Sequence, residues 1–268
     1  MTPAEKLTEA SAGGRDGPEC RDWTEVKKSL RWLLVGLRMS GVREWLRLPE
    51  AIARPAQGSS EPAEVEGSPP VPRIDKAEKL RDIREVIGEC TRCRLHQSRT
   101  HIVYGEGSPD ASLVFVGEGP GAEEDRRAKP FVGRAGKLLD KMIHAIGLER
   151  SGIYIANVVK CRPPGNRTPL ADEIAACSPF LFQQLETIRP VVICALGLCA
   201  AQTLLGSTQP MGALRGRLHF WRGIPLIATY HPAYLLRNPA QKANVWKDLL
   251  EVKNILGSDV GKEGKGRS

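Results

Sequence analysis

The sequence predicts an α/β fold: a three-layer α/β/α domain with a central, mainly parallel sheet, preceded by a helical N-terminal extension and a flexible linker. Three observations carry this reading. Short apolar runs alternate with longer helical patterns from residue 74 onward, as repeated βα units require. Polar, glycine-rich segments follow several of the apolar runs, where an open parallel sheet places its functional loops. A hydrophobic content of 41% over 268 residues supplies a sizeable core.

Taken in order, residues 1–50 form the extension. Trp23, Val26, Leu30, Leu33, Leu34 and Leu37 recur every three or four positions with Lys27, Lys28, Arg31 and Arg38 between them, which reads as a basic amphipathic helix. It packs on itself or the main domain, or meets a protein partner or DNA; the pattern does not choose. Residues 51–73 hold Pro55, Pro62, Pro69, Pro70 and Pro72 among Gly, Ser and Glu, a composition unable to offset the entropy of ordering. The main domain then spans 74–257. Asp75, with Glu78 three residues on, opens a helix whose apolar face is Leu80, Ile83 and Ile87. Strands are expected at Leu113–Gly117, 153–160, 191–197 and 225–230, and helices at 136–147, 169–189, Leu198–Leu205 and 239–256. The Gly- and Lys-rich tail, 258–268, is expected to be disordered.

Charge and cysteines narrow the function classes. With 39 Lys+Arg against 31 Asp+Glu the net charge is +8, the balance of a protein that meets a polyanion. The first eighteen residues carry Glu5, Glu9, Arg15 and Asp16 instead of a signal-peptide core, and the longest apolar run, 191–201, is too short to span a bilayer, so no membrane role is expected. Seven unevenly spaced cysteines suit a reducing compartment, and the expected location is cytoplasmic.

Two constellations carry chemistry. Gly117, Glu118, Gly119, Pro120 and Gly121 follow a strand like a dinucleotide fingerprint, yet Ala122 replaces the third glycine, Pro120 lacks a donor, and Glu123, Glu124 and Asp125 would repel a pyrophosphate. The loop instead offers bent backbone and carboxylates to a flat ligand. Cys90 and Cys93 form a C-x-x-C turn, with Cys161 and Cys177 farther along; by spacing alone these four suit either zinc or an iron–sulfur cluster. Cys194 and Cys199 read as buried core thiols, and Cys20 has no visible partner.

Five strings then converge on one family. Gly117-Glu118-Gly119-Pro120-Gly121, Glu124-Asp125, Pro130-Phe131-Val132-Gly133-Arg134-Ala135-Gly136, Asn157-Val158-Val159-Lys160-Cys161-Arg162-Pro163-Pro164, and His231-Pro232-Ala233-Tyr234-Leu235-Leu236-Arg237-Asn238-Pro239 occur in order, and from about residue 90 to about 256 the chain resembles family 4 uracil-DNA glycosylases. One departure is Ala128, where the family usually has glycine; it is expected to stiffen the loop slightly. The basic insertion of a related DNA-crosslinking subgroup is missing after Cys161.

The resemblance implies a monofunctional enzyme that flips uracil out of DNA and hydrolyses its N-glycosidic bond, with no diffusible cofactor. It makes Phe131 the stacking aromatic, the alternative being a core phenylalanine. Asn157, a lone polar residue closing an apolar strand, would accept from uracil N3–H and donate to O4. His231, its backbone held extended by Pro232, would donate to O2 as negative charge develops there. Gly119 stands where other glycosylase families keep an aspartate base. Water activation then falls to Glu118 or Glu124, unless Glu124 guards the C5 side of the ring. Arg162, Arg167, Arg237 and Asn238 would contact DNA, and the four cysteines would hold a structural [4Fe–4S] cluster. The expected substrate is uracil-containing DNA and the expected state a monomer. Two rivals remain: a non-catalytic nucleic-acid-binding or polymerase-associated module that kept the cluster, and a nucleotide-binding oxidoreductase, the latter disfavoured by the broken fingerprint.

Overall fold

The computed structural model describes residues 75–263, with side chains as far as residue 257. The expected extension helix, Cys20 and the 51–73 linker lie outside the described residues.

Six strands form one sheet in the order β1-β3-β2-β4-β6-β5: β1 Glu106–Gly107, β2 Leu113–Gly117, β3 Tyr154–Asn157, β4 Val192–Leu196, β5 Leu218–Trp221 and β6 Ile224–Thr229. The four central strands are parallel, and both edges are antiparallel. All four expected strands are therefore present. The second is shorter than expected, because Val158 and Val159 still donate to the carbonyls of Gly117 and Glu118 (2.9 and 3.1 Å) but the chain then turns toward Cys161. The edge strands were not legible: β1 has two residues, and β5 leaves Leu218 and Phe220 exposed, so neither carries a buried-strand pattern.

The eight helices among the described residues are α1 Lys76–Ile87, α2 Ala122–Arg127, α3 Arg134–Ala145, α4 Ala171–Ile188, α5 Leu198–Leu205, α6 Met211–Leu214, α7 Pro232–Arg237 and α8 Lys242–Glu263. Asp75 caps α1 by accepting from the amides of Ala77 and Glu78 (2.9 and 3.3 Å). Alternation along each buried strand sends side chains to opposite faces. Val114, Val116, Ala156, Ile193 and Ala195 pack with Leu181, Leu185, Ala200 and Leu204 of α4 and α5. Leu113, Phe115, Ile155, Cys194 and Leu196 pack with Leu139, Ile143, Val245, Leu249 and Val252 of α3 and α8. These two cores make the three layers that the sequence predicts.

Three expectations are corrected. The segments after β2 and β6 are not plain loops: each holds a short helix, α2 and α7, below the length at which periodicity can be read. The helix α8 continues to Glu263, so the expected disordered tail begins as helix; Gly257 weakens the hydrogen-bond ladder without interrupting it, and no proline follows. Finally, Ala128 terminates α2 in the left-handed region (φ 55°, ψ 24°), a conformation that costs a Cβ-bearing residue about 1 kcal/mol relative to glycine, so the loop is strained and not merely stiffened. No helix among the described residues is long and apolar enough to cross a membrane.

Candidate active site

A cleft of about 450 Å³, within the range of small-ligand pockets, opens beyond the carboxyl ends of β2, β3 and β6. Glu118, Gly119, Glu124, Phe131, Asn157, His231, Arg167 and Arg237 all line it, so one cleft gathers residues spread over more than a hundred positions. Arg162 and Asn238 are not in its wall. Arg162 donates to Asn166 Oδ1 (2.8 Å), and Asn238 donates from Nδ2 to the Tyr234 carbonyl (3.3 Å) at the exposed end of α7.

Asn157 closes β3 at 1% exposure, and its Oδ1 has no hydrogen-bond partner. An orphaned acceptor in so dry a place is costly. It leaves one acceptor in the cleft wall open to a hydrogen bond. The neighbouring strand leaves room for it only because residue 117 is glycine: a Cβ there would stand 2.4 Å from Asn157 Oδ1 and 2.7 Å from the Phe131 ring.

Phe131 is held in place by unusual means. Its backbone is left-handed (φ 50°), a strained state for an aromatic residue. Arg150 clamps it, donating to the carbonyls of Phe131 (3.2 Å) and Pro130 (2.6 Å) while pairing with Asp140 (2.7 Å). Glu124 adds a second clamp, its Oε1 accepting from the amides of Val132 (3.0 Å) and Gly133 (2.8 Å). The Phe131 and His231 rings, both in the cleft wall, are in tilted contact, centroids 5.4 Å apart and planes 31° apart.

His231 is the N-cap of α7. Its Nδ1 accepts from the Ala233 amide (3.1 Å), which places the proton of the neutral ring on Nε2 and makes that atom a donor. Burial, aided by the Arg237 charge, pulls its pKa down to about 4, so the ring is neutral at physiological pH. The Glu118 carboxylate has no ion-pair or hydrogen-bond partner among the described residues, and burial raises its pKa above the ordinary value.

Arg167, expected on DNA, spends its guanidinium on Glu173, a fully buried carboxylate, through two bonds of 2.6 and 2.8 Å. Glu173 in turn accepts from the Leu170 amide (2.8 Å) and starts α4. Sequence reasoning also missed Arg150, Asp125 and the network behind His231. Asp125 is buried and takes the amides of Thr100 (2.8 Å) and His101 (3.2 Å). Thr229 donates to Asp248 (2.6 Å), Asp248 pairs with Arg215 (2.9 Å), and Arg215 lies over Tyr230, which stacks on the pocket residue Tyr234. Tyr234 falls within a recognised string; Arg150, Arg215 and Asp248 stand in no motif and gave no signal.

Cys90, Cys93, Cys161 and Cys177 together line a second, apolar cavity with Ile87, Ile102 and Phe180. Burial pushes the Cys161 thiol up to about 11 and also raises Cys93 and Cys177. Donors nonetheless point at the sulfurs: Arg92 at Cys90 (3.3 Å), Arg99 at Cys161 (3.4 Å) and the Lys160 amide at Cys177 (3.2 Å). Among the described residues no three His, Cys, Asp or Glu side chains converge as a single metal ion requires. Four thiols around one cavity, met by amide and guanidinium donors, suit a thiolate-held metal centre.

Residues 104–250 match the uracil DNA glycosylase superfamily. The type-4 uracil-DNA glycosylase of Thermotoga maritima is 45% identical over 185 residues, covering 68% of this chain and 96% of that protein. The chain belongs to the type-4 uracil-DNA glycosylases. The Archaeoglobus fulgidus member is 40% identical over 188 residues, covering 67% and 94% of the two chains. A DNA polymerase of Bacillus phage SP01 is 30% identical over 153 residues, 57% of this chain but 16% of the polymerase. For this type-4 glycosylase the matched region begins after residue 103, beyond the extension and linker.

Proposed function

We infer that the chain is a monofunctional uracil-DNA glycosylase that initiates base-excision repair, taking a flipped uracil into the cleft lined by Phe131, Asn157 and His231 and hydrolysing its N-glycosidic bond to leave an abasic site. The observation that carries this reading is the unpartnered, buried Oδ1 of Asn157, an acceptor suited to uracil N3–H. Its amide nitrogen is left to donate to O4. Phe131, clamped from both sides, stacks on the ring. His231 donates from Nε2 to O2, where charge grows as the bond to the sugar breaks; a neutral donor of fixed tautomer stabilises that charge without first losing a proton.

Of the two carboxylates, Glu118 suits the water-activating role. It lines the cleft without a partner and has a raised pKa, so it can take up a proton as water attacks the sugar carbon. Glu124 is engaged by two amides and acts by holding the Phe131 loop beside the C5 edge of the ring. Gly119 is required by close packing, since a Cβ there would meet the buried Val159 at 2.8 Å. Lys160, the lysine nearest in sequence to Asn157, spends its Nζ on the Asn157 carbonyl and Gln184, which favours attack by water over Schiff-base chemistry.

Cys90, Cys93, Cys161 and Cys177 would hold the [4Fe–4S] cluster, whose contribution is to crosslink α1, α4 and the 161–167 loop with no redox step in the reaction. Arg237 in the cleft wall, with Arg162 and Asn238 outside it, would meet the DNA backbone, whereas Arg167 acts mainly by anchoring the loop to α4. We place the enzyme in the cytoplasm, acting as a monomer on uracil-containing DNA. The test is product analysis on duplex oligonucleotides carrying a single uracil: alkali-labile product with released free uracil supports the reading, and strand cleavage without alkali or intact substrate refutes it.

A further inference from the structure

Lys160 is a cation in the core. It is 1% exposed, and its Nζ donates to the backbone carbonyl of Asn157 (3.0 Å) and to Gln184 Oε1 (2.6 Å). Gln184 is itself fixed, donating to the Tyr104 carbonyl (3.1 Å) and the Tyr154 hydroxyl (3.2 Å), and the Tyr104 ring lies 5.9 Å from the ammonium. No carboxylate pairs with Lys160 among the described residues. Lys160 also lines the cavity with Cys90, Cys93, Cys161 and Cys177, and its own amide donates to Cys177 Sγ (3.2 Å). One side chain thus touches both the cysteine cavity and the residue that closes β3.

We propose that Lys160 is a positioning residue: its Nζ, held by Gln184 Oε1, donates to the Asn157 carbonyl and so fixes the strand end from which the Asn157 amide reads uracil. This rests on the role given to Asn157 above. A shift of about 1 Å in a group that orients the reacting molecule costs on the order of a hundredfold in rate.

The experiment compares Lys160→Met, Gln184→Leu and Asn157→Ala in the full chain, each measured for iron and sulfide content, visible absorbance, affinity for abasic-product DNA, and single-turnover excision of uracil. Lys160→Met should keep iron content and product affinity while its single-turnover rate falls about 10- to 100-fold. Gln184→Leu, which leaves the ammonium held by Asn157 alone, should show a smaller loss in the same measure, and it decides the matter if Lys160→Met fails to fold or loses iron. Full rate in whichever of the two is folded and iron-loaded, with Asn157→Ala slow, overturns the role of Lys160 alone. An equal fall in product affinity and rate would mean general damage and also overturns it. Full rate in Asn157→Ala would instead refute the reading of the pocket.

Discussion

Replacing Asn157 by alanine should make the protein a poor enzyme without making it a less stable one. In the free protein Oδ1 is buried without a partner, a penalty of about 1–3 kcal/mol that the fold carries until substrate arrives. With uracil bound, the amide makes two bonds, to N3–H and O4, each worth about 1–3 kcal/mol when its loss leaves a buried group unpaired. Losing both removes about 2–6 kcal/mol, which at about 1.36 kcal/mol per factor of ten is a fall of roughly thirtyfold to more than ten-thousandfold. The assay is single-turnover excision from duplex DNA, with affinity for abasic product measured beside it and expected to stay near the parent value. The space vacated opens onto the cleft and can fill with water, so the thermal midpoint should be unchanged or higher, by about 2–4 °C for each kcal/mol relieved. Full activity, or a loss of activity matched by a lowered midpoint, would refute the reasoning. Asn157→Asp should in turn release weak cytosine excision at low pH, since a protonated acid offers a donor where cytosine N3 has an acceptor.

His231 should work as a neutral donor. His231→Ala is expected to slow single-turnover excision across pH 6–8 by a constant factor, and a loss that appears only at the acid end would contradict the assignment. With a folded pKa of about 4, below the ordinary 6.5, the folded protein binds fewer protons than the unfolded chain between these values; stability from this residue is complete above about pH 6.5 and lost as pH falls toward 4. Chemical denaturation of His231→Gln should lack that part of the acid slope. Anaerobically purified protein should be brown, with about four iron and four sulfide per chain, and stoichiometric zinc without sulfide would overturn the cluster assignment. DNA affinity should weaken with salt at a log–log slope of roughly −3 to −6, as release of counterions from a small footprint requires; a flat response would argue against duplex DNA as the substrate.

Much of this site was legible because its parts sit where sequence patterns end. Asn157 and His231 stand out as polar residues closing apolar strands, and the rule that parallel sheets bind ligands beyond their carboxyl ends brings them together before any coordinate is known. Glu118 and Phe131 are readable through the strings around them, and the four cysteines through chemistry that no other residue type supplies. What the sequence hides is the division of labour among like groups. Two glutamates six positions apart look equivalent on paper, and only the amides of Val132 and Gly133 separate the one that holds a loop from the one left free. Arginines 162 and 167 look equally suited to phosphate, but the buried Glu173 claims one of them. The side-chain direction of a lysine in a strand-end motif is not legible on paper, and the hold of Lys160 on Asn157 and Gln184 joins the strand end to a helix 24 residues on. Hydrogen bonds from side chain to distant backbone leave no periodicity, so a linear reading misses a positioning residue such as Arg150 outright and finds Glu124 and Lys160 only as members of their strings, without the partners they hold.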